Sequence, residues 1–294
     1  MPLLAAFLST LLNLAPDLSS LPALLWGDET DGEVTVALDP ADAAGAAVNP
    51  PIVGAPGETR PLVVIDAGHG GRDPGAISPF GARHEKDVTL AIARAIRDEL
   101  VASGRMRVAL TRDEDRFIDL RERYEIARRV DADLFVSVHA DSAPNPAARG
   151  ATIYTLSEVA SDREAATLAA RENKADIIDG VDLGGGRKDV NMILIDLAQR
   201  ESMNVSADFA GLLEREGSPL FPFRPQPHRF AAFVVLKAPD IPSILFESGY
   251  LSNPADADWL HSPEGQKAIA TGMRRAIEAH FAREIVAAAR RERV

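Results

Sequence analysis

The chain has 294 residues, 44 acidic against 32 basic side chains, a formal charge of −12 and 46% hydrophobic content. Length and apolar content suffice for one large domain or two small ones. The acidic balance argues against a phosphate-binding surface for nucleic acid and against simple electrostatic attachment to an anionic membrane.

No cysteine is present, so disulfides and thiolate metal sites are excluded, and any metal must be held by His, Asp or Glu. Residues 1–59 contain no Lys or Arg. The apolar stretch from Leu3 to Leu12 lacks a basic flank, and Asn13 and Pro16-Asp17 interrupt it well short of the roughly 20 residues of a membrane span. This extension reads as the remnant of an upstream targeting domain or as a degenerate export signal. Residues 39–59, Ala-rich and carrying Pro50-Pro51 and Pro56-Gly57, read as a linker. A second unit is expected over 60–294.

From Arg60 onward strand and helix alternate. Val63-Val64-Ile65 predicts a buried strand, and Val88, Ile92, Ala95, Ile96 and Leu100 recur at helical spacing, predicting a helix over about 86–103 closed by Gly104. Strands are expected at Arg107–Thr111, Leu134–His139, Thr152–Leu156, Phe233–Leu236 and Ile244–Phe246. Leu120, Tyr124, Ala127 and Val130 mark a further helix, and another is expected over about 263–284. Such alternation predicts an α/β fold: a single twisted, mostly parallel sheet with helices on both faces. Residues 158–217 break the pattern. They predict two helices, over about 158–178 and 189–216, around Gly180 and Gly184–Gly186, and this insertion reads as a helical cap.

Three short polar segments stand where apolar strands end: Ala67-Gly68-His69-Gly70-Gly71, Ser137-Val138-His139-Ala140-Asp141 and Phe246-Glu247-Ser248-Gly249. In α/β sheets chemistry collects outside the carboxyl ends of the strands. His69 and His139, with Glu85 opening the helix after the first strand, form a His₂Glu set that leaves a coordination position open, as catalytic zinc requires. Each alone has an ordinary explanation: a half-buried histidine, or an acidic residue at a helix start. Glu247, at a strand end in a partly apolar setting, supplies a carboxylate for proton transfer.

These motifs, together with Leu110-Thr111-Arg112 and Glu247-Ser248-Gly249-Tyr250-Leu251-Ser252-Asn253, resemble the Amidase_3 family of zinc-dependent N-acetylmuramoyl-L-alanine amidases, from about Pro61 to Ala282. The resemblance implies one Zn²⁺ per chain on His69, Glu85 and His139, with Glu247 as catalytic glutamate. It implies cleavage of the amide between N-acetylmuramic acid and the L-alanine of the peptidoglycan stem peptide, in the periplasm. The insertion is similar to that of Gram-negative cell-division amidases, in which a helix lends a glutamate to the zinc until an activator, often a LytM-type protein, displaces it. On that likeness Glu172 is the candidate blocking ligand, with Glu158, Glu164 and Asp176 as rivals. His228 and Asn253 are candidates for substrate contact or for support behind the ligands, His84 is a weak competitor of Glu85, and His261 and His280 read as surface helix residues. The alternatives are a zinc peptidase acting on the stem peptide and a wall-binding module without catalysis.

Overall fold

The computed structural model describes residues 49–174, apart from 55, 58 and 82, and residues 192–291. Its centre is a seven-stranded sheet in the order β1-β3-β2-β4-β7-β5-β6. The strands are β1 (Val53–Gly54), β2 (Leu62–Ala67), β3 (Arg107–Leu110), β4 (Leu134–His139), β5 (Ala151–Leu156), β6 (Phe223–Ala231) and β7 (Ser243–Glu247). β3, β2, β4 and β7 pair in parallel, β5 runs antiparallel to β7, and β6 runs parallel to β5. Every residue of β2, β4 and β7 is buried, as near-continuous apolar runs in a sheet covered on both faces require.

Among the described residues six helices cover it: α1 (Glu85–Ser103), α2 (Leu120–Arg129), α3 (Arg163–Glu172), α4 (Met192–Gly217), α5 (Pro254–His261) and α6 (Pro263–Arg291). Side chains alternate across a strand, so successive residues feed two cores. Val63, Ile65, Val136, Val138 and Phe246 pack with α1, α4 and α6, whereas Val64, Phe135, Tyr154 and Leu245 pack with Leu120 and Ala127 of α2 and Leu168 of α3. Helix ends follow local chemistry. Asp119 and Asp162 cap α2 and α3 by accepting from the amides of Glu122 and Ala165, and Gly104 closes α1 at φ 67°, a left-handed cap that suits glycine.

Four elements differ from the sequence expectation. The strand expected at Phe233–Leu236 is instead a 3₁₀ turn over Val234–Leu236, whose apolar side chains join the second core. The strand in this region is β6, upstream, where Pro225 and Pro227 argued against one. β6 tolerates both prolines because it is the margin of the sheet, bonded to β5 alone. A short extra helix, α5, precedes the terminal one and is capped by Asn253. Two residues of the stretch read as linker, Val53 and Gly54, form β1 and pair with Val108 and Arg107. The Gly180–Gly186 joint and Asp176 lie outside the described residues, among which no helix is long and apolar enough to cross a membrane.

Candidate metal centre

β2, β4 and β7 end side by side, with His139 paired in register with Glu247. The chain leaves β2 through a tight turn in which His69 takes φ 60°, a left-handed conformation uncommon outside glycine. The turn is held from behind. Arg123 of α2 donates to the carbonyls of Ala67 (2.8 Å) and His69 (2.9 Å) and to Asp66 (2.9 Å). Arg112 donates to the carbonyls of Ala67 and Gly68, both at 2.9 Å. Asp66 in turn accepts from Thr111 (2.6 Å) and Ser137 (2.7 Å). Arg123 and Asp66 form a buried ion pair, whereas the buried Arg112 is satisfied by backbone carbonyls and the Thr89 hydroxyl.

The turn presents His69 to His139, the rings meeting edge to face with centroids 4.9 Å apart. Glu85 bridges them, one oxygen 3.1 Å from His69 Nε2 and the other 3.1 Å from His139 Nδ1. Its oxygens are also fixed by the amides of Ala76 (2.8 Å) and Ala140 (2.9 Å). Two glycines make the approach possible. A Cβ on Gly68 would lie 2.5 Å from the His139 ring, and one on Gly75 would lie 2.6 Å from both Glu85 and His69.

Glu172, the last residue of α3, is buried and completes the group, with Oε2 3.3 Å from His69 Nε2 and 3.4 Å from His139 Nδ1. One ligand atom each from His69, His139 and Glu172 all lie within 4.8 Å of one another. Asp73 binds His69 Nδ1 at 2.8 Å and so turns Nε2 inward, the usual support behind a ligating imidazole. That Nε2 is buried without a hydrogen-bond partner. Two imidazole nitrogens, one of them orphaned, and the carboxylate oxygens beside them form a donor set that suits zinc.

Electrostatics point the same way. Burial opposes a charge on His69, yet Glu85 and Glu172 outweigh it and raise its pKa well above the usual value. Burial likewise opposes ionisation of Glu85 and Glu172, but His69 wins and holds both carboxyls below the usual range. A pocket whose carboxylates force an imidazole to carry a proton is short of positive charge, which a divalent cation would supply.

Glu247 lies next to this group, fully buried, with Oε2 accepting from the Asp141 amide (3.0 Å) and Oε1 without a partner. Burial, then the charges of Asp141, Glu85 and Glu172, push its carboxyl well above the usual range. Burial, and the Glu85 charge next, also push Asp141 up to about 7 against the pull of Arg171. Arg171, beside Glu172 on α3, pairs with Asp141 and donates to the Ser142 carbonyl (3.2 Å).

The structure thus brings together His69, Glu85, His139, Glu172 and Glu247, and sets other candidates apart. His228 sits on β6, two strands from β7, bonded to Thr155 (2.9 Å). Asn253 spends its side chain on the amides of Ala255 and Asp256 and the Pro146 carbonyl. Glu158 is exposed, and Glu164 is engaged by Arg224 and Arg229. His84 precedes α1 as its N-cap without a side-chain bond there. His261 is half-buried and donates to the Ala257 carbonyl (2.7 Å). His280 corrects the surface reading: it is 5% exposed, stacked edge-on against Phe209 and Phe281. Sequence reasoning assigned no part to Asp73, Asp141, Arg171 or Arg123. The first three flank named ligands, a signal that was available, whereas Arg123 sits among the charged residues of α2 and carries none.

The chain matches the Amidase_3 family, N-acetylmuramoyl-L-alanine amidase, over residues 63–279. It is 41% identical over 223 residues to N-acetylmuramoyl-L-alanine amidase AmiC of Neisseria meningitidis, covering 74% of this chain and 53% of that protein. It is 38% identical over 221 residues to AmiA of Escherichia coli, covering 75% and 76%. Among solved structures, the amidase AmiC2 of Nostoc punctiforme aligns with a TM-score of 0.54 at 29% identity, covering 77% of this chain and 99% of that one. The chain therefore spans about half the length of the Neisseria relative, and it belongs to the Amidase_3 family.

Proposed function

We propose that this family member is a zinc-dependent N-acetylmuramoyl-L-alanine amidase that hydrolyses the bond between N-acetylmuramic acid and the L-alanine of the stem peptide. It acts in the periplasm in daughter-cell separation, is held closed by α3, and is opened by a LytM-type activator. Residues 60–294 are the catalytic unit, 158–217 its regulatory insertion, and 1–59 an extension before it. The observation that carries this reading is a buried His₂Glu₂ cluster beside a buried glutamate with a free oxygen.

His69 through Nε2, His139 through Nδ1 and Glu85 would hold the zinc. When bound, the metal supplies Lewis-acid polarisation of the scissile carbonyl and makes water acidic enough to react at neutral pH. Glu247 takes the proton from the attacking water on its unpartnered Oε1 and gives it to the departing L-alanine nitrogen, breaking the C–N bond. Its raised pKa suits both halves of that transfer. The Asp141 amide fixes the other oxygen, so the proton is delivered from one position. Glu172 occupies the place a substrate carbonyl needs, so α3 must leave first.

The test is incubation of the zinc-loaded full chain, with and without a LytM-type partner, with purified sacculi, followed by mass spectrometry of the products. Free muramyl sugar with intact stem peptide is the expected result, abolished in Glu247→Gln while zinc content is kept. Shortened peptides would replace the reading with a stem-peptide peptidase, and binding without release would leave a wall-binding module.

A further inference from the structure

Helix α3 carries a second carboxylate into the groove. Glu164 lies eight residues before Glu172, about 12 Å along the helix axis. It is grasped by two arginines of β6: Arg224 reaches both its oxygens, Nη2 to Oε2 at 3.2 Å, and Arg229 Nη1 donates to Oε2 at 3.0 Å. Their side chains are 16% and 10% exposed. Their other partners are neutral, the Tyr250 hydroxyl for Arg224 (2.9 Å) and the Gln226 carbonyl for Arg229 (3.4 Å). Among the described residues the one further acid paired with them is Asp162, 3.7 Å from Arg229, and it is the N-cap of α3 itself. When α3 leaves, both counter-charges leave with it. Two largely buried cations are then unpaired, a costly state that a ligand carboxylate would relieve.

The surroundings fit such a ligand. Tyr154, Glu164 and Arg229 line a cavity of about 510 Å³ that shares Asp141, Ser142 and Arg171 with the groove at the metal centre. The Tyr154 hydroxyl, wholly buried, has no hydrogen-bond partner. Across the sheet the order is β2, β4, β7, β5, β6: His69 follows β2, His139 and Glu247 end β4 and β7, Tyr154 of β5 is level with Leu245, two residues back from Glu247, and Arg229 of β6 pairs with Tyr154. At about 4.8 Å per strand, β6 lies about 10 Å beyond β7. An extended peptide leaving Glu247 covers about 7 Å in two residues, and an arginine side chain spans the remainder. The carboxylate thus belongs one or two residues beyond the new amine.

We infer that Arg224 and Arg229 form a subsite for the carboxylate of the acidic second residue of the stem peptide, and that Glu164 occupies this subsite as a stand-in while α3 is docked. The inference rests on the amidase reading. α3 then blocks two parts of the substrate path at once, Glu172 at the metal and Glu164 at the peptide.

The experiment compares N-acetylmuramoyl-L-alanyl-D-isoglutamate with its isoglutamine amide, using the zinc-loaded full chain carrying Glu172→Ala. The expected result is a kcat/KM about tenfold or more higher for the acid. Arg224→Gln and Arg229→Gln should each lower kcat/KM for the acid about tenfold more than for the amide, and lysine at either position should restore part of the preference. Glu164→Gln should lower KM for the acid more than for the amide. Equal rates on the two substrates, or arginine variants that slow both alike, would overturn the subsite. Circular dichroism checks each variant, and Arg224→Gln, at the less buried site, carries the test if Arg229→Gln does not fold. If neither substrate is cleaved, calorimetry with the L-alanyl-D-isoglutamate peptide and Glu164→Gln decides separately. Binding lost in Arg224→Gln upholds the subsite while the amidase reading fails, and no binding ends both.

Discussion

The insertion contains two helices that dock by different physics. α4 buries Phe209, Ala210 and Leu213 completely, in one core with α6 and the central strands. α3 contributes Ala165, Leu168 and Ala169 to the second core and otherwise docks through polar groups. Glu164 meets two arginines, Arg171 meets Asp141, Glu172 meets two histidines, and Asn173 binds the Ala232 carbonyl and the Val234 amide. Burial of apolar area is indifferent to protons and metal ions, whereas each α3 ion pair depends on the charge of its partner. The same insertion therefore joins a fixture to an element held largely by charge and hydrogen bonds.

Breaking the fixture should cost most. Phe209→Ala is expected to destabilise the protein by about 3–5 kcal/mol in urea unfolding, with little change in turnover per folded molecule; a loss under 1 kcal/mol would remove α4 from the core. Next comes the releasable side. Glu172→Ala should raise muropeptide hydrolysis without an activator by about 10- to 100-fold, equivalent to about 1.4–2.7 kcal/mol, while urea stability changes little. Unchanged activity with retained zinc would show that α3 does not close the site.

Proton dependence sharpens the contrast in chelator-treated protein. Asp141, His69 and Glu247 have raised pKa values in the folded state, so the stability each contributes is complete below its unfolded value and lost as pH rises through its folded one. Glu85, Glu172 and Asp66 are lowered, so theirs is present above their unfolded values and lost as pH falls. Between about pH 5 and 7 the first set dominates. Stability should fall by about 1.4 kcal/mol per pH unit for each proton released, and Asp141→Asn should flatten the slope. The smallest effect is expected from Arg171→Ala. Its side chain is 46% exposed, so removal should loosen α3 by about 0.2–1 kcal/mol, a few-fold rise in basal hydrolysis that high salt would mimic.

The convergence of His69, Glu85, His139 and Glu247 was legible because strand ends in a parallel sheet share one edge, and β2, β4 and β7 are apolar runs with abrupt polar ends. The position of Glu172 was legible only through likeness to a family. Charged residues at helical spacing look the same whether they face water or a metal, and α3 shows both, with Glu172 buried and Arg171 exposed. β6 was hidden because its prolines and polar residues lack strand alternation, and with it went Arg224 and Arg229. Arg123 could not be read at all, since its partners, two backbone carbonyls and the Asp66 carboxylate, lie 54, 56 and 57 residues away.

The prolines of β6 have one more effect. Pro225 and Pro227 stand two residues apart on a strand with one open flank, and neither has an amide hydrogen to offer a newcomer. The ladder to β5 pairs Phe223 and His228–Ala231 and shifts register between them, so both prolines stand in its irregular stretch. An extra strand laid along that flank would find neither a regular ladder nor a full set of donors, which disfavours polymerisation by strand addition. Crowding many copies onto one patch of a polymeric surface therefore carries little risk of fibre growth from this margin. Threonine at both positions would remove that protection, and turbidity or light scattering at high concentration would register the change.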